Sequence, residues 1–250
     1  MLHAYPRLPA AEQGRLLSGV VGRSRHEPGS GTPPVVVFDL DGTLFDNRPR
    51  TCAILRDLAA AWRSSRPEAA ARLAEVSPER MAYLLADTLA VLGIHETELV
   101  AEASAYWRDR FFVDDDLRHD VPLPGAVDFA RACYDAGATI VYLTGRDLPM
   151  MGAGTFKSLR DHGFPFGVAG TELVLKPDAA MPDEAFKRLA APTLRRLGDV
   201  VASFDNEPAN CNLFCEEYPT CVSVLVDTQH MPGAPRLLEN VAVIGDFVRG

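Results

Sequence analysis

The chain has 250 residues, of which 47% are hydrophobic and 24% are charged, as is ordinary for one globular domain with an insertion or for two small domains. Its formal net charge of −9 argues against a nucleic-acid or anionic-membrane partner, because both need a basic excess. No apolar run approaches the roughly 18 residues that span a bilayer, and residues 1–10 lack the pattern of a signal peptide. We therefore expect a cytoplasmic protein with no nucleic acid and no membrane as partner.

The cysteine pattern agrees with a reducing compartment. Five cysteines are scattered along the chain, an odd number that suits buried thiols better than a disulfide framework. Cys211, Cys215 and Cys221 lie close in sequence, but no CxxC motif and no nearby histidine pair supports a metal cluster there.

The first 33 residues are predicted to form a leader and a linker. Residues 11–21 have apolar side chains at helical spacing, which indicates a short amphipathic helix. Residues 22–34 are rich in glycine, serine, proline and charge, which is typical of a linker.

The most informative stretch begins at Val35, where four apolar residues run without alternation up to Phe38. Such a run predicts a buried strand of a parallel sheet, since these strands are covered on both faces. Asp39 and Asp41 follow at alternate positions, so in extended chain both carboxylates face one side. Their mutual repulsion favours a bound cation or a shared proton. The alternative is a strand that ends in an Asp-Gly hairpin turn.

A helical insertion is predicted next, over residues 47–119, which leaves residues 34–46 and 120–250 as the core. Apolar residues recur at helical spacing in 52–62, 81–92 and 98–112. Ser77 is expected to cap a helix that has Pro78 at its first position. Four aromatic residues could line a substrate pocket, but the core of the insertion is the favoured location for Tyr106, Trp107, Phe111 and Phe112.

Strands and helices alternate through the rest of the chain. Strands are predicted at 139–143, 166–169, 172–175, 200–204 and 221–226, with a short apolar segment at 241–244 and helices at 126–136, 153–162, 183–197 and 209–218. This alternation predicts an α/β fold with a doubly wound parallel sheet. Nucleotide-binding sites of the GxGxxG or GxxxxGK type have no support, because neither motif is present.

Three predicted strands end in residues that can do chemistry: Asp39 with Asp41, Thr144 with Gly145, and Asp205. Right-handed crossovers bring these ends to one edge of the sheet. A carboxylate nucleophile, a second carboxylate for proton transfer and a hydroxyl are the groups that phosphoryl transfer needs. The acidic strand ends also supply the oxygen ligands that Mg²⁺ prefers.

These motifs resemble those of the haloacid dehalogenase (HAD) superfamily of phosphatases. The resemblance covers roughly residues 35–226: DxDGT at Asp39–Thr43, a strand that ends in Thr144, and the acidic strand end at Asp205. It implies a Rossmann-like core into which residues 47–119 are inserted as a helical cap of the first type. The dehalogenases of the superfamily lack the second aspartate, so its presence favours phosphoryl chemistry.

The resemblance also implies a role for each motif residue. Asp39 is the expected nucleophile, and Asp41 is expected to protonate the leaving oxygen and then to activate water. Mg²⁺ would be held by the Asp39 carboxylate, the Asp41 backbone carbonyl and Asp205. Thr144 and the Gly145 amide would bind the transferred phosphoryl group.

The third motif of the superfamily, a lysine before the last acidic strand, has two candidates here. Lys187 lies on a predicted helix, and Lys176 lies at a strand end beside Pro177. The helical setting and the spacing to Asp205 favour Lys187, which leaves Lys176 as a solvated surface lysine or a second substrate-binding group.

The fourth motif departs from the superfamily pattern. Many relatives place an aspartate four residues after the first acid, where this chain has Ala209. Asn206 or Glu207 could bind metal-coordinated water instead.

Two further groups have two interpretations each. Asp46, Asn47 and Arg48 lie where the cap begins, and they either contact the substrate or cap the next helix. Arg146 and Asp147 either pair across the site or cap the helix that follows.

The expected function is that of a Mg²⁺-dependent phosphatase acting on a small soluble phosphate ester through an aspartyl-phosphate. A phosphotransferase or phosphomutase with the same nucleophile is an alternative. A catalytically weak protein that binds a phosphate ligand is another.

Overall fold

The computed structural model describes residues 5–27, 29 and 31–249, which contain one six-stranded sheet and a separate two-stranded ribbon. The strands are β1 (Pro34–Phe38), β2 (Phe45–Asp46), β3 (Val121–Pro122), β4 (Thr139–Asp147), β5 (Thr171–Lys176), β6 (Asp199–Asp205), β7 (Val222–Val226) and β8 (Ala242–Ile244). The helices are α1 (Ala10–Arg23), α2 (Arg48–Trp62), α3 (Pro67–Ala74), α4 (Leu85–Val91), α5 (Thr97–Phe111), α6 (Ala126–Asp135), α7 (Leu148–Asp161), α8 (Asp183–Ala190) and α9 (Pro208–Glu217). Short 3₁₀ helices span Pro78–Arg80, Asp114–His119 and Ala191–Arg196.

The strand order in the large sheet is β5-β4-β1-β6-β7-β8, and every neighbouring pair is parallel. From β1 the chain winds outward through β4 to β5, and it then crosses back to β6 on the other side of β1. The carboxyl end of β1 is therefore a topological switch point, where sheets of this kind bind ligands. The predicted α/β doubly wound parallel sheet is confirmed.

Strand β1 is buried on both faces, which explains its apolar run without alternation. Val36 and Phe38 belong to a hydrophobic cluster with Phe129 of α6, whereas Val35 and Val37 belong to a second cluster with helices α8 and α9. All four strand residues are at most 2% exposed. A strand that can turn neither side to water has a strongly specified register.

Aromatic rings fix the central strands against each other on one face of the sheet. The ring of Phe38 stacks on that of Phe204 at 5.1 Å, and Phe129 and Phe247 contact both rings edge-on or tilted. These contacts hold the ends of β1 and β6 side by side, one residue before Asp39 and Asp205 respectively. The position of the two acids follows from the packing of this apolar layer.

The helices between β2 and β3 have a hydrophobic core of their own. It is built from buried residues of α2–α5 and the loops between them, among them Leu55, Trp62, Leu73, Leu89 and Ile94. The chain leaves and rejoins the sheet-bearing part through the antiparallel β2–β3 ribbon, which has only two residue pairs. This arrangement supports the division at 46/47 and 119/120, which stays a prediction.

The predicted leader packs on the sheet-bearing part rather than standing apart from it. Leu17 and Val20 of α1 lie in the main hydrophobic cluster, and the Leu8 amide donates to the Val243 carbonyl. Residues 1–4, 28 and 30 of the predicted leader and linker lie outside the described residues.

Some predicted element bounds are wrong for local reasons. Residues 166–169 form turns rather than a strand, because Gly167 and Gly170 adopt φ of +71° and +80°. Helix α7 begins at Leu148 instead of residue 153, since Asp147 accepts a hydrogen bond from the Met150 amide and caps it.

Other helices are shorter than predicted. The helix expected over 183–197 becomes a 3₁₀ helix after Ala190, near Pro192, which has no amide hydrogen to donate. Ser77 makes no side-chain capping bond, and only a 3₁₀ turn follows it. The helix expected from residue 81 starts at Leu85.

All five cysteines carry free thiols, and four of them are buried, as predicted. Within the described part of the chain, none of the helices combines the length and the apolar character that crossing a membrane requires.

A glycine at the start of α6 provides a test of the fold. Gly125 has φ of +75°, and a Cβ there would lie 2.5 Å from the Phe247 carbonyl oxygen. We expect Gly125→Ala to lower the free energy of unfolding by at least about 2 kcal/mol, from backbone strain together with the clash. Gly19 of α1, where a Cβ would meet open space, is the matched control, and Gly19→Ala should raise stability by about 0.5–1 kcal/mol. Urea unfolding measures both, and equal stability of the two variants would contradict the packing described.

Candidate active site

The carboxyl ends of β1 and β6 bring two acids to one lysine. Asp39 follows β1 directly, and its amide donates to the Phe204 carbonyl at 2.9 Å. The Nζ of Lys187, on α8, lies 2.8 Å from Oδ1 of Asp39 and 2.7 Å from Oδ2 of Asp205. All three side chains are almost fully buried. Three of the residues predicted for the site therefore meet at the switch point of the sheet.

Burial and charge act against each other in this trio. Burial raises the pKa of Asp39 to about 7, helped by the negative charge of Asp205 and opposed by the Lys187 ammonium. Burial would lower the pKa of Lys187, but the charges of Asp205 and Asp39 outweigh it and raise that pKa above its usual range. The lysine therefore stays charged and supplies a fixed positive charge between the two acids.

The second oxygen of Asp205 is held by the following turn. Oδ1 accepts from the Glu207 amide at 2.9 Å and from Nδ2 of Asn210 at 3.1 Å. Sequence analysis did not identify Asn210, because it considered position 209, where Ala209 replaces the usual second acid. Its signal was an amide side chain in the first turn of a helix that follows an acidic strand end.

The loop after Asp39 is a tight turn and not a hairpin. The Leu40 carbonyl accepts from the amides of Thr43, Leu44 and Phe45, and Gly42 has φ of +76°. Strand β1 pairs with β4 and β6, both parallel to it, so the predicted alternative of an Asp-Gly hairpin is wrong. A Cβ at Gly42 would lie 2.6 Å from the Asn206 side-chain amide, and this close approach requires glycine.

Asp41 lies between two arginines. Arg146 binds it with two nitrogens, at 2.6 Å and 3.0 Å, and Arg50 and Asn47 donate to its Oδ1. Burial would raise the pKa of Asp41, but the guanidinium groups of Arg146 and Arg50 outweigh burial and hold that pKa well below its usual range. Asp41 is therefore a carboxylate with little tendency to bind a proton in this state.

A second buried acid completes the network. Asp120 accepts from Nε and Nη2 of Arg50, each at 2.8 Å, and from Nη2 of Arg146 at 2.7 Å. Arg50 is fully buried, donates to the Phe111 carbonyl at 2.8 Å and lies 4.1 Å from the centre of the Phe111 ring. Sequence analysis missed Arg50 and Asp120, because 70 residues separate them and neither lies in a motif.

The end of β4 carries the predicted phosphate-binding pair. Thr144 is buried, and Thr144 and Gly145 line the same cavity as Asp39. The β4–β5 register breaks after Thr144, where the backbone amide of Arg146 turns back to the Thr144 hydroxyl at 3.2 Å. The two interpretations of Arg146 and Asp147 are each correct for one of these residues. Arg146 pairs within the site, and Asp147 caps α7.

Lys176 lies elsewhere and has a different partner. Its Nζ is 2.6 Å from Oδ1 of Asp183, and only 8% of the residue is exposed. The expectation of a solvated surface lysine is therefore wrong, since burial beside Asp183 fixes the side chain. Lys176 does not line the cavity at Asp39.

The residues at the start of the insertion are engaged with each other and with the site. Asp46 forms two hydrogen bonds with the Arg48 guanidinium, at 2.7 Å and 2.8 Å, and accepts from the Arg48 amide at 3.0 Å. Asn47 makes no side-chain capping bond and donates to Asp41 instead. All three line the cavity.

A cavity of about 660 Å³ lies between the strand ends and the insertion. Its floor carries Asp39, Asp41 and Lys187, and its upper wall includes Trp107 and Phe112 of the insertion. The expectation that the four aromatic residues belong to the core of the insertion is correct for Tyr106, which packs on that core, and wrong for Trp107 and Phe112, which line the cavity. Phe111 belongs to neither and packs against Arg50.

The donor set at the floor of the cavity fits Mg²⁺. Asp39 and Asp205 offer carboxylate oxygens that share one ammonium neighbour, and a hard cation of this kind prefers oxygen ligands. Among the described residues, no group of three His, Cys, Asp or Glu side chains is placed to hold a metal. Two carboxylates, one backbone carbonyl and water match the small number of protein ligands that Mg²⁺ usually takes.

Comparison with known proteins agrees with the fold. A model of the hydrolase family described as haloacid dehalogenase-like hydrolase matches residues 33–249. A solved structure from Clostridium difficile, provisionally named a phosphatase, matches with a TM-score of 0.53 and 14% identity over 84% of this chain and 93% of that one. A predicted phosphatase from Clostridium acetobutylicum matches with a TM-score of 0.49 and 16% identity over 85% of this chain and 94% of that one.

A class C acid phosphatase from Bacillus anthracis matches with a TM-score of 0.46 and 17% identity, over 80% of this chain and 63% of that one. At 14% identity the likeness to the Clostridium difficile structure extends to the fold and not to activity. No curated protein matches this chain in sequence.

The buried arginine network generates a stability prediction. Arg50→Met leaves Asp120 and Asp41 with one arginine between them, so we expect the free energy of unfolding to fall by about 3–5 kcal/mol. Arg48, two residues earlier, also pairs with an aspartate, but its side chain is 35% exposed. Arg48→Met should cost about 1 kcal/mol or less.

Chemical denaturation of both variants measures the difference. A cycle that combines Arg50→Met with Asp120→Asn should show coupling of more than about 1 kcal/mol. Additive effects, or equal losses for Arg48 and Arg50, would contradict the network.

Proposed function

Since the chain belongs to the haloacid dehalogenase-like hydrolases, we propose that it is a phosphatase that releases phosphate from a small phosphate ester through an aspartyl-phosphate. The observation that carries the proposal is the Lys187 ammonium shared between the buried carboxylates of Asp39 and Asp205. A nucleophilic carboxylate needs nearby positive charge when it meets an anionic phosphoryl group, and the lysine provides it.

In the first half of the reaction an oxygen of Asp39 attacks phosphorus, the bond from phosphorus to the alcohol oxygen breaks, and the departing oxygen takes a proton from Asp41, which regains one from the attacking water in the second half. Thr144 and the Gly145 amide, which line the same cavity, are the groups we assign to binding the transferred phosphoryl oxygens. In the second half, water attacks the phosphorus of the aspartyl-phosphate and frees Asp39. Splitting the displacement in this way replaces one difficult step with two easier ones.

We assign both proton transfers to Asp41, whose surroundings fix its ionisation state. Hydrogen bonds from Arg50 and Arg146 stabilise the carboxylate form, so the protonated form that would donate to a departing alkoxide is scarce. The same hydrogen bonds make the carboxylate a weak base toward attacking water. Proton transfer through Asp41 therefore requires these hydrogen bonds to lengthen as the proton moves.

We assign Mg²⁺ to the carboxylates of Asp39 and Asp205 and to the backbone carbonyl of Asp41. When bound, the ion would offset the negative charge of the phosphoryl oxygens. The side chains of Asn206 and Glu207 have other partners: Asn206 donates to the Gln229 carbonyl, and Glu207 accepts from the Met231 amide. This makes direct coordination by either residue a weaker assignment.

We assign residues 47–119 to the role of a cap that covers the substrate. The insertion supplies the upper wall of the cavity, and its core is separate from that of the sheet. A cover of this kind closes over the bound substrate and then limits the access of bulk water to the reacting groups. We also propose a cytoplasmic location, supported by five free thiols.

The nucleophile is tested with Asp39→Asn. We expect phosphate release to fall by at least about a thousandfold, because the amide cannot form the intermediate. Phosphate release from a panel of small phosphate esters, with Mg²⁺ or with a chelator, is the measurement, and the chelator should abolish turnover by the wild-type protein. Asp128→Asn, an exposed aspartate of α6, is the control and should keep wild-type activity. Turnover that survives Asp39→Asn would exclude the aspartyl-phosphate, and transfer to an added sugar instead of water would indicate a phosphotransferase.

The two lysines give a matched pair of variants. Each is buried and paired with an acid, but only Lys187 contacts Asp39. Lys187→Met should lower kcat by about a hundredfold or more through the loss of a charge beside the transition state. Lys176→Met should lower it by less than about tenfold, since Lys176 does not line the cavity and only its partner Asp183 does. A larger loss for Lys176 would reverse the assignment of the third motif.

A further inference from the structure

Large apolar side chains that are exposed to solvent gather at the mouth of the cavity. Tyr83 and Leu84 are 40% and 46% exposed, Phe112 is 44% exposed and Met231 is 56% exposed, and all four line the cavity. Exposed apolar surface concentrated in this way marks a binding site, whereas single exposed apolar residues need no explanation. The upper wall of the cavity therefore offers an apolar surface above a charged floor.

Trp107 contributes a ring rather than a hydrogen bond. Its indole Nε1 already donates to the Thr51 hydroxyl at 3.1 Å. Its ring lies 4.5 Å from that of Phe111 and 5.7 Å from that of Phe112, which it meets nearly edge-on. With the indole donor engaged, the aromatic surface is what Trp107 and Phe112 present to the cavity.

The polar side chains of the same wall are already paired within the protein. Asp46 binds Arg48, and the Gln229 side chain donates to the Met81 carbonyl at 2.9 Å. The Thr228 hydroxyl donates to the Gly42 carbonyl. A substrate rich in hydroxyl groups would have to break such bonds, and buried polar groups left unpaired are costly. This wall suits a flat apolar group better than a sugar.

We propose that the alcohol part of the substrate carries an aromatic ring, which stacks on one of the rings of Trp107 and Phe112 and meets the other edge-on while its phosphate lies at Asp39. The inference rests on the proposed phosphatase function and deepens it by naming the substrate class. Ring stacking by an aromatic side chain is worth roughly five- to a hundredfold in binding of a nucleobase. A benzyl-type ester and a nucleoside monophosphate share this chemistry.

Two matched pairs of esters test the inference. Benzyl phosphate and cyclohexylmethyl phosphate differ in the flatness of the ring, and adenosine 5′-monophosphate and ribose 5-phosphate differ in the base. Each pair releases a primary alcohol, so the chemistry of the leaving oxygen is closely matched. We expect kcat/KM to be about tenfold higher for the aromatic member of at least one pair, mainly through KM. The pair with the larger ratio identifies the source of the ring.

Variants of the wall separate stacking from general effects. Phe112→Leu and Trp107→Leu should raise KM for the preferred aromatic ester about tenfold and leave its non-aromatic partner unchanged. Phe156→Leu is the control, because Phe156 is 47% exposed on α7 and packs on Phe166 outside the cavity. Phe112 is exposed enough for its variant to fold even if Trp107→Leu does not.

Binding of the four esters to Asp39→Asn, measured by calorimetry, distinguishes the failure of this inference from that of the proposed function. Equal affinities and equal kcat/KM within both pairs would overturn the inference and leave the phosphatase intact. Selective binding of aromatic esters without phosphate release by the wild-type protein would overturn the proposed function and keep the ring-binding site. Equal effects of the wall variants on both members of a pair would also overturn the inference.

Discussion

The site depends on one buried ammonium. Packing of Phe38 on Phe204 brings the ends of β1 and β6 together, and this places Asp39 and Asp205 where both are almost fully buried. Two carboxylates that are both shielded from water would repel each other, and this repulsion favours protonation of one of them. Lys187 reduces this conflict because it contacts both carboxylates, so the site depends on helix α8, which carries the lysine, as much as on the two strands.

A second set of charges connects the insertion to the chemistry. Arg50 lies on the first helix of the insertion, whereas Asp41 belongs to the loop after β1, Arg146 lies at the end of β4, and Asp120 begins the return to the sheet. Because the four side chains satisfy one another, a change in the position of the insertion would change the contacts of Asp41. The insertion is in this way joined to the carboxylate assigned to proton transfer, as well as forming one wall of the cavity.

The sequence predicted the sheet, the acids and the preferred lysine because each signal is local. An apolar run, an Asp-x-Asp motif or an acidic strand end can be recognised within a few residues, and the family match bears out the resemblance built on them. Arg50 and Asp120 had no such signal, since their pairing depends on how the insertion folds back over 70 residues. Lys176 was misjudged for a related reason, because its pairing with Asp183 depends on how the intervening loop folds back. The turns at 166–169 differ from the predicted strand because two glycines adopt positive φ.

The two-pair ribbon of β2 and β3 has a consequence for how such a protein can diversify. The floor of the cavity is built on the sheet, whereas the aromatic wall is built on helices with a separate hydrophobic core. Mutations that reshape the wall can therefore be accommodated without repacking the strands that align the acids, provided that Arg50 keeps its partners. Under the proposed function, selectivity and reactivity are encoded in different parts of the chain, so that natural variation could alter the first while it leaves the second intact.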